Sequence, residues 1–335
     1  MELQISAESS CAVIGYGSWA TAIVKILSQR GSNIGWYIPN IEILEGLLTE
    51  ERNIKYLRDV DFDLSKLHPS SDINAVVENH DIIIFAMPSA YIKKFMEPLK
   101  VSLKNKFVVS AVKGIVPQDY TTVVEYIHRH YELPYKQIGI ITGPSHAEEV
   151  AIERLSYLTV VCPDIDLAHV VGSKVECHYI KVSFSTDLYG VEYATILKNI
   201  YAISVGMAVG LGYGDNFIAV LIANAAREMH NFLDESYPME RDTREAAYLG
   251  DLLVTCYSTY SRNRRLGLLI GKGFTTKSAL NEMTMVAEGY FAADCIRHVN
   301  LQHEISMPIA DMVYNVLYKG ASARKSMKNL TKLLK

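Results

Sequence analysis

A glycine-rich turn near the N-terminus constrains the fold of this chain more than any other feature. The apolar run Cys11–Gly15 predicts a strand, and the helical pattern Ser18–Gln29 begins directly after Gly17. Gly15 permits a tight turn, Gly17 lets the backbone approach a pyrophosphate, and Ala20 allows close helix–strand packing. Glycines also occur in ordinary loops, so the strand–turn–helix context carries the argument. Because a helix N-terminus offers N–H groups and positive potential, the turn predicts a dinucleotide phosphate site.

The rest of the chain shows two kinds of sequence pattern. Up to about Thr186, short apolar runs alternate with helical patterns, which predicts a mostly parallel sheet with helices on both faces. Beyond that point only helical patterns remain. We therefore predict an α/β, Rossmann-like dinucleotide-binding domain over residues 1–187 and an all-α domain over residues 188–335. The predicted strands are Cys11–Gly15, Asn33–Tyr37, Asp81–Ala86, Phe107–Ala111, Gln137–Thr142 and Tyr157–Val161. The predicted helices include Ser18–Gln29, Tyr120–His130, Tyr189–Gly210, Phe217–Leu233, Thr243–Ser258 and Met307–Tyr318.

Composition excludes several classes of protein. A length of 335 residues, 49% hydrophobic and 21% charged, suits a two-domain globular protein. The net charge of -4 disfavours a nucleic-acid partner. Five scattered cysteines lack metal-ligand spacing and are typical of reduced thiols. Met1–Ser10 has no signal-peptide pattern, and the apolar run Ile82–Met87 is too short to span a bilayer. We expect a cytoplasmic protein without a metal, a nucleic-acid partner or membrane insertion.

Lys198 stands out because it lies inside the apolar helical pattern Tyr193–Leu211. Lysine is rarely buried without a partner or a function. In a dry pocket its neutral form is favoured, so it can act as a general acid or base near neutral pH. Alternatively its stem packs against the core while its ammonium group reaches water. The segment alone leaves both interpretations open.

Several motifs occur together in a fixed order. They are Gly15–Ala22, Val112–Ile115, Gly143–Glu149, Leu197–Asn199, Gly250–Leu252 with Thr255–Cys256, Ser261–Asn263, Val286–Gly289 and Met307–Ile309. This ordered set resembles the motifs of bacterial-type NAD(P)-dependent glycerol-3-phosphate dehydrogenases, and the resemblance covers residues 11 to 320. It implies that NAD(P)H reduces dihydroxyacetone phosphate to sn-glycerol 3-phosphate, a precursor of glycerophospholipids.

The resemblance also assigns roles to matching residues. Lys198 resembles the catalytic proton donor and acceptor, with Asp251 beside it or beside the substrate hydroxyls. The implied substrate-binding residues are Lys113, Gly143, Ser145, Asp251, Ser261, Arg262 and Asn263. The implied cofactor-binding residues are Gly15, Gly17, Ser18, Trp19, Lys113, Ala147, Arg262, Val286 and Glu288. The residue types suit these roles, since a ketone reduction needs an acid and a phosphate needs cations such as Arg262 and Lys113.

Some of these residues also have structural interpretations. Asp251 is a candidate for the stabilising carboxylate at a helix N-terminus, and Ser261 for an N-cap. Trp19 either lines the cofactor or only packs under the loop. We expect Arg264 and Arg265 to form a solvated charged face.

Two positions depart from the family pattern. Asn224-Ala225 stands where the family usually has Arg-Gly, and Arg227 is a candidate replacement one turn later. Ile38 stands where a basic residue is common. The strip Tyr37–Asn40 contains neither the acid typical of NAD sites nor the arginine typical of NADP sites. We expect NADH and NADPH both to work, with NADH preferred by about tenfold, unless a distant arginine such as Arg52 reaches the ribose.

Other functions remain to be weighed. A related dehydrogenase of the 3-hydroxyacid or 6-phosphogluconate type would also pair a dinucleotide domain with a helical domain and a catalytic lysine. The segments Gly250–Leu252 and Ser261–Asn263 favour the triose phosphate. A dinucleotide sensor without catalysis is disfavoured because both Lys198 and Asp251 are retained. We expect small-molecule partners, and a homodimer is the candidate assembly.

Overall fold

The structure, a computed structural model, describes residues 3–31 and 33–335. Residues 1, 2 and 32 lie outside that description, and with them the first two residues of the predicted first domain. The chain forms two compact units, Met1–Val112 with Val123–Leu188, and Lys113–Thr122 with Tyr189–Lys335. The first unit carries the α/β part and the second the helical part. The division at residues 187 and 188 remains a prediction, and the second unit includes a short excursion from the N-terminal half.

The strands are β1 (Cys11–Ile14), β2 (Ile34–Tyr37), β3 (Leu67–Ser70), β4 (Ile82–Phe85), β5 (Phe107–Ser110), β6 (Ile115–Val116), β7 (Thr121–Thr122), β8 (Ile138–Thr142), β9 (Ser156–Val161) and β10 (Ile180–Ser185). The helices of the first unit are α1 (Ser18–Ser28), α2 (Ile41–Glu50), α3 (Ile73–Glu78), α4 (Ile92–Met96), α5 (Val123–Tyr131), α6 (Ala147–Ala151) and α7 (Ile165–Val175). Those of the second unit are α8 (Leu188–Gly210), α9 (Asp215–Ser236), α10 (Asp251–Tyr257), α11 (Arg262–Gly271), α12 (Thr276–Asn281), α13 (Glu288–Asn300), α14 (Pro308–Lys319) and α15 (Ala323–Leu330).

The first unit is built on one sheet with the strand order β10-β9-β8-β5-β4-β1-β2-β3. Neighbouring strands are parallel except β8 and β9, which are antiparallel. Every residue of β1, β2, β4 and β5 is buried, as expected for central strands covered on both faces. The order changes direction at β1, and ligands of such sheets bind beyond the carboxyl ends of the strands near that point. The predicted α/β architecture is confirmed.

Two strands of the sheet escaped the sequence prediction. The edge strand β3 contains Pro69, which lacks an N–H and is tolerated only at an edge. The opposite edge strand β10 alternates apolar residues with Lys181 and two serines, and only Ile180 is buried. Their polar, half-exposed composition hides them from a search for continuous apolar runs.

Two predicted helices begin later than expected. Tyr120–His130 was predicted as one helix, but Tyr120 has a positive φ of 52° and α5 starts at Val123. Thr121 and Thr122 instead form β7, which pairs with β6 in a hairpin. Thr243–Ser258 was also predicted as one helix. It consists of a π-helical turn over Ala246–Gly250 followed by α10, because the backbone takes an extra residue into the turn before Asp251.

The second unit is centred on α8, in which every residue from 190 to 208 is buried. A helix that is apolar on all sides belongs in a core. Helix α11 approaches α8 at backbone distance, since a Cβ on Gly267 would lie 2.0 Å from the Ile203 carbonyl oxygen. A Cβ on Gly206 would likewise lie 2.0 Å from the Arg264 carbonyl oxygen. None of the helices in the described residues is both long and apolar enough to cross a bilayer.

Candidate functional site

The glycine turn follows β1 and leads into α1. Gly15 has a φ of +132°, and a Cβ there would lie 2.4 Å from the Ala86 carbonyl oxygen, so only glycine fits. Gly17 is the N-cap of α1 and has no side chain with which to cap the first N–H groups of the helix. Those N–H groups and the helix dipole suit a phosphate. Ser18 begins the helix, and Trp19 is half-buried and packs against the core.

Three further predicted residues belong to the first unit. Gly143 directly follows β8 with a φ of +117°, and the Ser145 hydroxyl donates to its carbonyl oxygen at 3.1 Å. Ser145 and Ala147 are nearly buried, and Ala147 begins the short helix α6. Helix α6 packs against α1, the helix that follows the glycine turn. The sequence motif Gly143–Glu149 therefore lies next to the first helix of the predicted phosphate site.

Two lysines and one aspartate form a charged cluster in the second unit. The Lys198 ammonium contacts Oδ1 of Asp251, and Lys113 Nζ lies 3.8 Å from Oδ2 of the same carboxylate. Lys198 is 3% exposed and Asp251 is 1% exposed. This burial rules out a lysine that reaches water with its ammonium group. Since buried ions are costly to desolvate, such a cluster points to a functional site more than to a stability device.

The electrostatics of the cluster favour an anionic ligand. Two ammonium groups share one carboxylate, so the formal charges leave an excess of one positive charge. Burial lowers the pKa of Lys113 from 10.5 to about 8; attraction to Asp251 opposes the shift, and the charge of Lys198 adds to it. The Lys113 side chain is 21% exposed, so a solute can approach it.

A chain of amide hydrogen bonds holds this cluster in place. The side chain of Asn199, next to Lys198 in α8, donates to the Lys113 carbonyl oxygen at 3.2 Å. Asn263 Nδ2 donates to Asn199 Oδ1 at 2.9 Å, and the Gly289 N–H donates to Asn263 Oδ1 at 2.9 Å. These bonds tie the loop before β6 to α8, α11 and α13. Both ends of the Asn263 amide are used within the protein, and its direct contact with substrate stays a prediction.

The predicted residues around α11 divide into supports and candidate ligand contacts. Ser261 caps α11 by accepting from the Arg264 N–H at 3.2 Å, so its structural interpretation is confirmed. Arg262 is half-buried, and its Nη1 donates to the Val286 carbonyl oxygen at 3.4 Å. Glu288 is the first residue of α13.

The expected solvated face of α11 is only partly correct. Arg265 is exposed, whereas Arg264 is half-buried with its Nε enclosed. Arg264 lies on the face where α11 meets α8, which explains its burial. Asp251 is the first residue of α10, but the π-helical turn Ala246–Gly250 precedes it without a break, so its carboxylate does not lie at a free helix N-terminus.

The end of β2 shows why the strip that follows it carries no charge. Ile38 is fully buried, and its N–H donates to the Ser70 carbonyl oxygen at 2.9 Å. The Asn40 side chain caps α2 by accepting from the Ile43 N–H at 3.0 Å. Arg52 lies 3.7 Å from Asp61 and 4.0 Å from Glu50, so it is paired with carboxylates.

Asn224, where the family usually has arginine, is buried in α9. Its Nδ2 donates to the carbonyl oxygens of Val220 at 2.8 Å and Lys335 at 2.9 Å, and its Oδ1 accepts from the Lys335 N–H at 3.1 Å. Arg227 is exposed and donates to Asn224. Asn224 thus anchors the backbone of Lys335, and Arg227 contacts Asn224 rather than a separate site.

Sequence reasoning gave no role to three residues that support these sites. Asn199 had a usable signal, since a polar side chain inside an apolar helix next to Lys198 calls for a partner. Asn53 and Trp36, which contact the glycine turn, had none, because a loop asparagine and a strand tryptophan are ordinary in those settings. Asn53 Nδ2 donates to the Tyr16 carbonyl oxygen at 2.9 Å, and Trp36 Nε1 donates to that of Gly15 at 2.7 Å.

Comparison with known proteins supplies the family. Models of the N-terminal and C-terminal parts of NAD-dependent glycerol-3-phosphate dehydrogenase match residues 10–168 and 187–328. The chain is 33% identical to a glycerol-3-phosphate dehydrogenase [NAD(P)+] of Staphylococcus epidermidis over 320 residues, covering 95% of this chain and 96% of the relative. It is also 33% identical to the protein of that name from an Exiguobacterium species over 325 residues, covering 96% and 95%.

Solved structures agree with this. The crystal structure of glycerol-3-phosphate dehydrogenase from Coxiella burnetii has a TM-score of 0.88 at 26% identity, covering 97% of this chain and 99% of that one. Among residues 3–31 and 33–335, no group of three or more His, Cys, Asp or Glu side chains could hold a metal ion. The ordered motifs, the fold and these matches agree: the chain belongs to the NAD-dependent glycerol-3-phosphate dehydrogenase family.

Proposed function

We propose that this protein reduces dihydroxyacetone phosphate to sn-glycerol 3-phosphate with NADH or NADPH, and so supplies glycerophospholipid synthesis. Family membership supports the reaction and the cofactor class. The observation that carries the proposal is the buried contact of Lys198 with Asp251, with Lys113 at the other oxygen of the carboxylate. An acid and an excess of positive charge are what reduction of a phosphorylated ketone requires.

The residues of the glycine turn fit a dinucleotide. Its first helix presents N–H groups at an N-cap without a side chain, and the turn excludes a Cβ at Gly15. When bound, the reduced cofactor supplies the hydride for the carbonyl carbon of the substrate. The residues proposed to hold it are Gly15, Gly17, Ser18, Trp19, Lys113, Ala147, Arg262, Val286 and Glu288.

Lys198 is the proposed general acid. As the carbonyl carbon accepts a hydride, its oxygen gains negative charge, and the Lys198 ammonium donates a proton to form the hydroxyl group. In the reverse direction the neutral amine accepts that proton. Asp251 contacts the ammonium and fixes its position, and the neighbouring Asn199 fixes the backbone of Lys113. Positioned acids of this kind contribute about 10²–10⁴-fold to rate.

The phosphate needs cations and hydrogen-bond donors. We propose Arg262 and Lys113 as its cations, because arginine offers a planar fork and Lys113 belongs to a cluster with excess positive charge. The further proposed substrate residues are Gly143, Ser145, Asp251, Ser261 and Asn263. Ser261 and Asn263 also have structural bonds, so their contribution includes holding α11 in place.

A spectrophotometric assay tests the proposal. The purified protein should oxidise NADH and NADPH with dihydroxyacetone phosphate, and much more slowly with unphosphorylated dihydroxyacetone. The related dehydrogenases are represented by a 3-hydroxyacid and 6-phosphogluconate, which this protein should not oxidise with NAD or NADP under conditions where it oxidises sn-glycerol 3-phosphate. Equal rates with and without the phosphate would contradict the role assigned to Arg262 and Lys113. Faster turnover of either alternative substrate would show that the triose phosphate is not the substrate.

We further propose a cytoplasmic homodimer. Five free cysteines, all buried, are consistent with a reducing compartment. Three aromatic side chains in the segments that flank α11 are 41% to 55% exposed, Tyr257 and Tyr260 before the helix and Phe274 after it. Exposed aromatic groups are candidates for an interface. Light scattering after size-exclusion chromatography should give twice the chain mass of 37.5 kDa. A monomer mass at micromolar concentration would contradict the dimer.

A further inference from the structure

We propose that Asn53 and Trp36 are positioning residues for cofactor binding, which turn the peptide groups of the glycine turn so that its N–H groups face the pyrophosphate. The inference rests on the proposed function, since it concerns how the same turn binds a dinucleotide. Neither residue belongs to the glycine motif. Both act on it from outside, Trp36 from β2 and Asn53 from the segment after α2.

The two side chains hold successive carbonyl groups. Trp36 Nε1 donates to the Gly15 carbonyl oxygen at 2.7 Å, and Asn53 Nδ2 donates to that of Tyr16 at 2.9 Å. In a trans peptide group the C=O and the following N–H point in opposite directions. Holding the Gly15 carbonyl therefore directs the Tyr16 N–H away from Trp36, and holding the Tyr16 carbonyl directs the Gly17 N–H away from Asn53.

Asn53 is suited to this task because its amide is fully used. Its Nδ2 also donates to Thr21 Oγ1 at 2.9 Å, and its Oδ1 accepts from the N–H groups of Lys55 and Tyr56, each at 3.1 Å. An amide has two donors and two lone pairs, so every valence is satisfied. Asn53 is fully buried. No other side chain of this size can make these four bonds, since an acid lacks the donors and an alkyl group lacks both.

The simpler interpretation is that Asn53 only anchors a loop. The geometry of the turn argues for more, because a third side chain continues the series. Thr21 Oγ1 donates to the Gly17 carbonyl oxygen at 3.0 Å, and the same oxygen accepts the backbone N–H of Thr21 at 2.9 Å. Three successive carbonyls, of Gly15, Tyr16 and Gly17, each meet a side-chain donor. The Thr21 bond is of a kind common in helices, but together the bonds fix the orientation of three successive peptide groups, which is more than anchoring the loop after α2 requires.

The experiment measures NADH binding by the full-length protein directly. Asn53→Asp and Trp36→Phe remove the donors to the turn. Asn53→Asp preserves the shape of the side chain, whereas Trp36→Phe leaves a small cavity at a fully buried position, so its melting temperature is measured alongside. The dissociation constant of NADH, followed by fluorescence titration, should rise about 5- to 100-fold in each. The KM for NADH should rise in parallel, while the KM for dihydroxyacetone phosphate and the kcat at saturating NADH change by less than about twofold.

A pH profile, with the melting temperature measured at each pH to show that the variant is folded, tests whether loss of the donor to the Tyr16 carbonyl causes the loss of affinity. A protonated carboxyl group in Asn53→Asp can donate to the Tyr16 carbonyl oxygen, whereas a carboxylate repels it. Relative to wild type, the NADH affinity of this variant should therefore recover as the pH falls towards 5. Trp36→Phe has no titratable group and should show no such recovery.

Asn300→Asp is the matched control. Asn300 is also buried and bonds the backbone of Ile305 through both ends of its amide, at 2.8 and 3.0 Å, at the far end of α13. The Asn300→Asp substitution should lower the melting temperature without changing NADH affinity.

Wild-type protein that does not bind NADH would overturn the proposed function itself. Wild-type protein that binds, with folded Asn53→Asp and Trp36→Phe variants that bind equally well, would overturn this inference alone. Trp36→Phe decides the outcome if Asn53→Asp does not fold.

Discussion

The glycine turn of the first unit and the charged cluster of the second present different kinds of groups to a ligand. The turn presents backbone N–H groups, and its supporting side chains, Trp36 and Asn53, are neutral. The cluster presents charged side chains, Lys113, Lys198 and Asp251, and its supports are the amides of Asn199 and Asn263. Backbone dipoles bind a ligand that arrives with its own charge, whereas a proton transfer needs a group that can change its charge.

The difference has a consequence for mutations. At the turn a substitution alters the direction of a peptide group and hence affinity for the cofactor. In the cluster a substitution alters charge and hence the chemical step or the hold on the phosphate. Substitutions in the turn should therefore change cofactor affinity, whereas substitution of Lys198 should change turnover.

The largest expected effect is in the cluster. Lys198→Ala should lower kcat by at least about 10²-fold, because a positioned acid supplies about 10²–10⁴-fold. The dissociation constant of NADH should stay close to the wild-type value, since the turn is unchanged. Steady-state kinetics and fluorescence titration on the same preparation measure both. If Lys198→Ala retains more than about a tenth of wild-type turnover, another group is the acid. If it also loses NADH affinity, the cluster and the turn do not act separately.

The sequence predicted the turn better than the cluster. The turn is local, so strand, glycines and helix are read in one stretch, and the central strands are marked by fully buried apolar runs such as Ile82–Phe85. The cluster joins Lys113, Lys198 and Asp251 from distant parts of the chain, and only the family resemblance brought them together. Their shared carboxylate, and the lowered pKa of Lys113, depend on packing that no local pattern contains.

The next effect in size concerns Arg262. Arg262→Ala should raise the KM for dihydroxyacetone phosphate by about 10- to 100-fold, because a charge-assisted hydrogen bond contributes about 1.5–3 kcal/mol. Arg265→Ala is the matched control, since Arg265 lies on the same helix and is exposed. It should leave KM unchanged. An unaltered KM for both substrate and cofactor in Arg262→Ala would refute a role in binding.

Supporting residues were the hardest to predict for a physical reason. Their side chains bond backbone groups, which exist at every position, so no complementary residue type marks the partner. Asn53 and Tyr16 illustrate this, as does Asn224, whose partner is the backbone of Lys335. The edge strand β10 was missed for another reason, since its alternation of apolar and polar residues is not a continuous apolar run. The π-helical turn before Asp251 has no sequence period that distinguishes it from an α-helix.

A smaller effect concerns the preference between NADH and NADPH. The structure leaves the strip after β2 without a cation, because Ile38 is buried, Asn40 caps α2 and Arg52 is paired with Asp61. NADH should therefore be preferred over NADPH by about tenfold in kcat/KM, with both cofactors active. Arg52→Ala should leave the ratio unchanged. A clear preference for NADPH, lost in Arg52→Ala, would mean that this arginine leaves Asp61 to bind the 2′-phosphate.

The smallest expected effect is a pH dependence within the cluster. Burial lowers the pKa of Lys113 to about 8, so its ammonium is present below that pH and is lost as the pH rises through it. The phosphate of the substrate is largely doubly charged in the same range and does not gain or lose charge with Lys113. The KM for dihydroxyacetone phosphate should therefore rise above pH 8, by about fivefold at most, since a partly exposed ion pair contributes up to about 1 kcal/mol.

Two variants of Lys113 test this pH dependence. Lys113→Arg keeps its charge at every pH and should give a KM that stays low, whereas Lys113→Met has no charge and should give a KM that stays high. The KM for NADH should change less than the KM for the substrate, because the glycine turn contains no group that titrates near pH 8 and Lys113 is only one of the residues proposed to hold the cofactor. A KM for substrate that rises equally in wild type and Lys113→Arg would place the titrating group elsewhere, and a matching rise for NADH would show that the two regions respond to pH together.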